Sequence, residues 1–172
     1  GREVLACWEA VEPDMTIEPL RNLPVLRDLV VDRMPFDGKV EMLEPWVERN
    51  APYAGFPEPL NHKQMKNASK ALDCIGCMCC YSACPVVSQE PDFLVPAAAA
   101  MGHRYNMDSR DEGAQERNEV FRGDGTIFHC SYANECSEVC PKHVDPASAI
   151  NQAKLLAVLD WAKGFVVTRE KK

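Results

Sequence analysis

From about residue 61 onward, apolar residues recur at three- and four-residue spacing, the period of a helix with one buried face. Residues 63–72 place Met65, Ala68, Ala71 and Leu72 on one such face, and this helix should deliver Cys74 to a loop. Residues 92–107 are rich in alanine and prone to helix, with Pro96 suited to a first turn. The run Ala97, Ala98, Ala99, Ala100 reads as a site of close helix packing. Ser109, Arg110, Asp111 and Glu112 fit a capping box, which predicts a polar helix to about Phe121 that Gly123-Asp124-Gly125 ends. Asp145-Pro146 supplies an N-cap and a first-turn proline for a helix over 147–162. Its Ile150, Ala153, Leu156, Ala157 and Trp161 should face the core, and Gly164 should stop it. The first sixty residues contrast with this, because Pro13, Pro19, Pro24, Pro35, Pro45, Pro52, Pro57 and Pro59 leave room only for short helices, over 25–32 and 39–49. Residues 51–59 read as an extended linker. No alternating segment is long enough for a sheet, so the pattern predicts an all-α fold.

Composition narrows the class. With 172 residues, 46% hydrophobic and 26% charged, the chain has the make-up of a folded protein with room for one ordinary core and an appended arm. Its net charge of -7 argues against nucleic acid as a partner, since phosphate binding needs a basic surface. The longest apolar run, 94–101, is too short to span a bilayer. The chain opens Gly1-Arg2-Glu3 without an initiator methionine or a signal pattern, so it looks processed, split or truncated.

The cysteines carry the chemistry. Cys74, Cys77, Cys80 and Cys84-Pro85 follow the C-x2-C-x2-C-x3-C-P spacing of bacterial ferredoxins, in which three thiolates hold one iron–sulfur cluster and the fourth reaches a second. Cys130, Cys136 and Cys140-Pro141 repeat that register, with Ala133 where Cys77 stands. If the fourth cysteines are exchanged, Cys74, Cys77, Cys80 and Cys140 make a complete site for [4Fe–4S]. Cys84, Cys130 and Cys136 then make a three-thiolate site. Its open corner is either empty, giving [3Fe–4S], which is the favoured reading, or capped by water or another side chain. Zinc usually wants two separated thiolate pairs. Disulfides suit neither the odd total of nine cysteines nor five of them within eleven positions. Cys79 breaks the ligand spacing and reads as a small buried side chain. Cluster-binding thiols need a reducing compartment during assembly.

With both motifs in place, the chain resembles the C-terminal half of the iron–sulfur subunit of succinate dehydrogenase and fumarate reductase, respiratory complex II. The resemblance rests on residues 27–32, on Pro96 and the alanines after it, and on His103-Arg104-Tyr105-Asn106. It rests also on Asp108-Ser109-Arg110-Asp111 and on 136–150, a stretch that looks especially like fumarate reductases. It implies the same exchange of ligands and a bacterial-ferredoxin-like (α-helical ferredoxin) domain with two cluster-binding loops over 60–172. Residues 1–59 would be a Pro-rich arm and linker after a missing N-terminal domain that carries a [2Fe–2S] cluster. Cys7 looks like that cluster's last ligand, with the other three supplied upstream or by a separate chain.

The implied function is electron transfer between a flavoprotein subunit holding FAD and a quinone site in membrane-anchor subunits. The dicarboxylate chemistry lies in the flavoprotein, so this chain has no catalytic residue of its own. The implied location is peripheral, on the cytoplasmic face of a bacterial or archaeal inner membrane or the matrix face of the mitochondrial one. Lys154 stands where the family places a lysine near the quinone, where a cation would favour a reduced quinone oxygen; the bland alternative is a solvated helix face. Ser131 and the lack of a Trp near Pro85 count against a ubiquinone-type pocket. His129, His143 and Lys142 flank the second motif, where ordinary surface roles compete with tuning of the cluster. Tyr81 and Tyr132 are expected to cover the clusters. Two other readings remain: an iron–sulfur subunit like those of heterodisulfide reductase or glycolate oxidase, which Ala133 disfavours, and a structural or regulatory cluster protein.

Overall fold

The computed structural model describes residues 1–50, 52, 53, 55 and 62–166. Its order is β1 (Val25–Arg27), β2 (Val30–Val31), α1 (Met34–Glu41), α2 (His62–Leu72), α3 (Cys79–Ala83), α4 (Pro96–Asn106), α5 (Ala114–Arg122), a 3-10 turn (Ile127–His129), α6 (Glu135–Glu138) and α7 (Pro146–Val166). Helices dominate, as the periodicity implies.

Helix α4 is the centre. Pro96 occupies its first turn, where the missing N–H costs nothing and the ring fixes φ for the helix. Ala98, Ala99 and Ala100 are fully buried, and their small side chains let α1, α2 and α7 approach closely. One turn on, a Cβ on Gly102 would stand 3.0 Å from Leu43 Cδ1 and 3.1 Å from Phe121 Cζ, so a larger residue there has to push these buried side chains aside. Helix α7 lays Ile150, Ala153 and Ala157 against α4 and α5. At its start Asp145 accepts from the Ser148 N–H at 3.1 Å, the expected N-cap.

A second organising feature is polar. Arg117 of α5, 1% exposed, pairs with the Asp111 carboxylate at 2.6 and 2.8 Å and donates to the Leu43 and Trp46 carbonyls at 3.0 and 2.8 Å. Asp111 in turn accepts from the Glu48 and Gly113 N–H groups. The pair therefore ties the segment after α1 to the start of α5, with its buried charges bonded on several sides.

Several expectations need correction. Residues 25–32 form not a helix but a hairpin, β1 antiparallel to β2, with Asp28 at φ 50° in the turn; the fold is thus helical with a small β ribbon. The helix expected over 39–49 lies at Met34–Glu41, again with a proline in its first turn. Helix α5 starts later than the Ser109 capping box implied: Gly113 is its N-cap and Asp111 serves that turn. Gly123 caps its end as expected. Helix α7 continues past Gly164 to Val166, and Trp161 is 56% exposed instead of buried. Most of the 51–59 linker lies outside the described residues.

Candidate metal centres

Both cysteine motifs fold through the same local geometry. Gly76 and Tyr132, equivalent positions, both have φ 61°, and the next equivalent pair, Met78 and Asn134, have φ 65° and 64°. These left-handed residues fold each loop back on itself, after which α3 or α6 begins. The two short helices pack on each other. Loop 1 is held from the N-terminal segment: the Arg21 N–H donates to Ser82 Oγ at 2.8 Å, Ser82 Oγ donates to Glu3 at 3.1 Å, and Asn22 Nδ2 donates to the Ser82 and Cys84 carbonyls at 3.0 and 3.3 Å. Loop 2 is held from α7, because Ser137 Oγ donates to Asp145 at 2.8 Å and accepts the Ala147 N–H at 3.1 Å.

The thiols of both loops lie near one another. Cys74, Cys77, Cys80 and Cys140 line one small pocket of about 20 Å³, otherwise walled by apolar groups such as Met78, Ala97 and Val144, with Lys142 at its edge. Cys80 feels Cys74, Cys77 and Cys140 electrostatically, and also Cys136 of the other set. Cys136 feels Cys84 and Cys130. Burial pushes the Cys74, Cys80, Cys84 and Cys136 thiols up, the last to about 12, and neighbouring thiols add to this. Backbone N–H groups aim at the sulfurs: Gly76 at Cys74, Val86 and Val87 at Cys84, and Val144 at Cys140 at 3.4 Å. Crowded buried thiols with donors aimed at them suit a cationic, sulfur-loving group.

Among the described residues, no group of three or more His, Cys, Asp or Glu side chains is arranged to hold a metal ion. All nine cysteines are free thiols, so the disulfide reading has no support.

Other expected residues sort less evenly. Lys154 is 8% exposed and therefore not on a solvated face. Its Nζ donates to the Tyr132 hydroxyl at 3.0 Å and lies 4.1 Å from that ring's centroid and 5.9 Å from that of Phe128. Tyr81 is buried and meets Phe36 edge-on, as a cover should. Tyr132 is 56% exposed and binds Lys154, which corrects its reading as a cover. His129 makes a surface pair with Glu90 at 3.4 Å, and His143 is exposed. Ala133 is exposed and borders an open depression that also touches residues 1–5, Cys140 and Pro141. Cys7 is exposed in a turn of that N-terminal segment. Phe128 was missed by sequence reasoning, since nothing in its spacing marks it.

Residues 70–144, which span both loops, match the family described as "4Fe-4S dicluster domain". The chain is 45% identical over 148 residues to the fumarate reductase iron–sulfur subunit of Mycobacterium tuberculosis, covering 82% of this chain and 58% of that protein. It is 32% identical over 161 residues to the succinate dehydrogenase iron–sulfur subunit of Coxiella burnetii, covering 90% of this chain and 67% of that one. It belongs to the succinate dehydrogenase/fumarate reductase iron–sulfur subunit family. The fold agrees with a chain of the Mycobacterium smegmatis Sdh1 complex in the apo form, with TM-score 0.70 at 23% identity over 82% of this chain and 60% of that one. The chain spans about three fifths of the length of the fumarate reductase subunits it matches, 58% in the first case above.

Proposed function

We propose that this chain is the electron-transfer part of a succinate:quinone oxidoreductase or fumarate reductase, carrying [4Fe–4S] on Cys74, Cys77, Cys80 and Cys140 and [3Fe–4S] on Cys84, Cys130 and Cys136. The observation that carries it is Cys80, which lies within electrostatic reach of all three other thiols of its own set and of Cys136 in the second set. Two ligand sets in such contact, in a chain of this family, suit a wire better than two unrelated structural centres.

When bound, the clusters supply one-electron carriage. The protein's own part is to position and tune. The apolar cavity wall excludes water from the first set, and the backbone N–H groups at Cys74, Cys84 and Cys140 favour negative charge on sulfur, which stabilises the reduced state. Cys7 fits a ligand to a [2Fe–2S] cluster completed outside this chain, because its segment borders the same depression as Cys140. In this reading the four-iron site lies between the other two, as the resemblance implies. The 1–59 arm and 60–172 cluster domain are one division consistent with these roles.

Another face suits a membrane complex. No described helix is long and apolar enough to cross one. On α7, however, Leu155, Val158, Leu159 and Trp161 are 59%, 45%, 48% and 56% exposed, beside exposed Phe128. This face suits membrane-anchor subunits, with Lys154 beneath it to favour a reduced quinone oxygen. FAD and the dicarboxylate site belong to a flavoprotein partner, and this chain sits peripherally, on the cytoplasmic face of a bacterial or archaeal membrane or the matrix face of the mitochondrial one.

The test is anaerobic purification with the accompanying subunits, followed by electron paramagnetic resonance before and after adding succinate. Reduction of the clusters by succinate and their reoxidation by a quinone analogue are expected. Clusters that respond to neither succinate nor fumarate contradict the proposal.

A further inference from the structure

Lys154 is a buried cation without a counter-charge beside it. It is 8% exposed, and among the described residues its partners are the Tyr132 hydroxyl at 3.0 Å and the faces of Tyr132 and Phe128, 4.1 and 5.9 Å from Nζ to the ring centroids. A hydroxyl and two rings hold an ammonium in place without neutralising it. Tyr132 makes its contact from a left-handed backbone, φ 61°, at the position that Gly76 occupies in loop 1. Glycine would serve that turn without strain, so what loop 2 keeps there is a side chain. Tyr132 is 56% exposed, and the pair therefore reaches from the packed side of α7 to the open surface, next to exposed Phe128 and Leu155.

We propose that Tyr132 is a positioning residue for the quinone reaction: its hydroxyl and ring fix the Lys154 ammonium in the direction of the quinone oxygen that becomes negative on reduction. This rests on the function proposed above. Without the hydroxyl, Lys154 loses its one hydrogen-bond acceptor among the described residues, and its flexible stem is free to swing. The ammonium then meets the oxygen in only a fraction of conformers. Charge develops on that oxygen as electrons arrive, so a misplaced cation slows reduction and leaves the binding of oxidised, uncharged quinone almost as it was. The two electrons come from succinate through the clusters and the two protons from water; Tyr132 gives up none.

The experiment compares wild type, Tyr132→Phe, Lys154→Met and the double variant, each as the cluster-loaded complex with its accompanying subunits. Clusters are reduced with succinate, and their reoxidation by a saturating, soluble short-chain quinone is timed. Tyr132→Phe keeps the ring and should slow reoxidation about tenfold, with the dissociation constant of oxidised quinone, read by calorimetry, within about twofold of wild type. Lys154→Met should slow it at least as much, and adding Tyr132→Phe to that variant should cost nothing further, because the hydroxyl acts only through the lysine. The oxidised-state resonance signal of the second centre should keep its wild-type intensity in Tyr132→Phe. An unchanged rate in either single variant, or a double-variant loss equal to the product of the two single losses, overturns the proposal. So does loss of the second centre's signal in Tyr132→Phe, since the role would then be structural. Wild-type clusters that succinate reduces and quinone does not reoxidise would instead defeat the proposed function itself.

Discussion

Loops 1 and 2 trace the same backbone with different side chains and in different surroundings. Gly76 supplies the first left-handed position of one loop without cost, while Tyr132 occupies it in the other at φ 61°, a conformation worth about 1 kcal/mol of strain for a residue with a Cβ. In loop 1 the turn runs into Met78, Cys79 and Cys80, all buried; in loop 2 residues 131–135 are exposed. Loop 1 has a cysteine at its second ligand position, and loop 2 has Ala133. The shared path shows that turn geometry and the short helix that follows set the loop's shape, not the thiol at that position. What the thiol changes is how many iron corners the loop can hold. Tyr132 is kept at its strained φ by a contact loop 1 lacks, the hydrogen bond from Lys154.

The strongest way to break the comparison is at the residue that belongs to both sides. Cys80→Ala removes the thiol within reach of all three partners and of Cys136, and should abolish the four-iron signal and disturb the second centre; iron and sulfide analysis with resonance spectra checks this. Next is Arg117→Met, which leaves Asp111 charged, buried and unpaired. It should cost about 3–5 kcal/mol, read as a fall in melting temperature, and should weaken both loops alike because the clamp lies outside each. Ala133→Cys gives loop 2 the ligand spacing of loop 1 and should replace the oxidised-state signal of a three-iron centre with a four-iron signal on reduction, with little change in stability. The smallest effect belongs to Gly76→Ala. The nearest atoms to its new Cβ are 4.0 Å away, so only backbone strain opposes it, about 1 kcal/mol by denaturant unfolding. Because that loss is local, it should lower the yield of the first centre and spare the second.

Much of this was legible in the sequence, for physical reasons that differ by region. Helices α2 and α7 announce themselves because apolar positions recur at the helical period, and α4, buried on nearly every side, through its alanine run after a first-turn proline. The hairpin at 25–31 does not, because its strands are only three and two residues long and carry exposed Val25, Leu26, Leu29 and Val30, with no alternation to mark them. Cysteine spacing is what suggests the proposed ligand sets, because loop geometry ties spacing to direction. Burial of Lys154 and exposure of Tyr132 are set by packing between α7 and loop 2, which no local pattern encodes. The Arg117 clamp depends on contacts across some seventy residues and was equally invisible, although its Asp111 stood within a recognised motif.

The difference between the two loops is tested most directly by electron paramagnetic resonance on anaerobically prepared, oxidised protein, with metal analysis on the same sample. The account predicts a near-isotropic three-iron signal before reduction and a separate four-iron signal after it, with iron as the metal. Four-iron signals alone would mean that another group caps the corner at Ala133, and zinc in place of iron would contradict electron transfer by this chain.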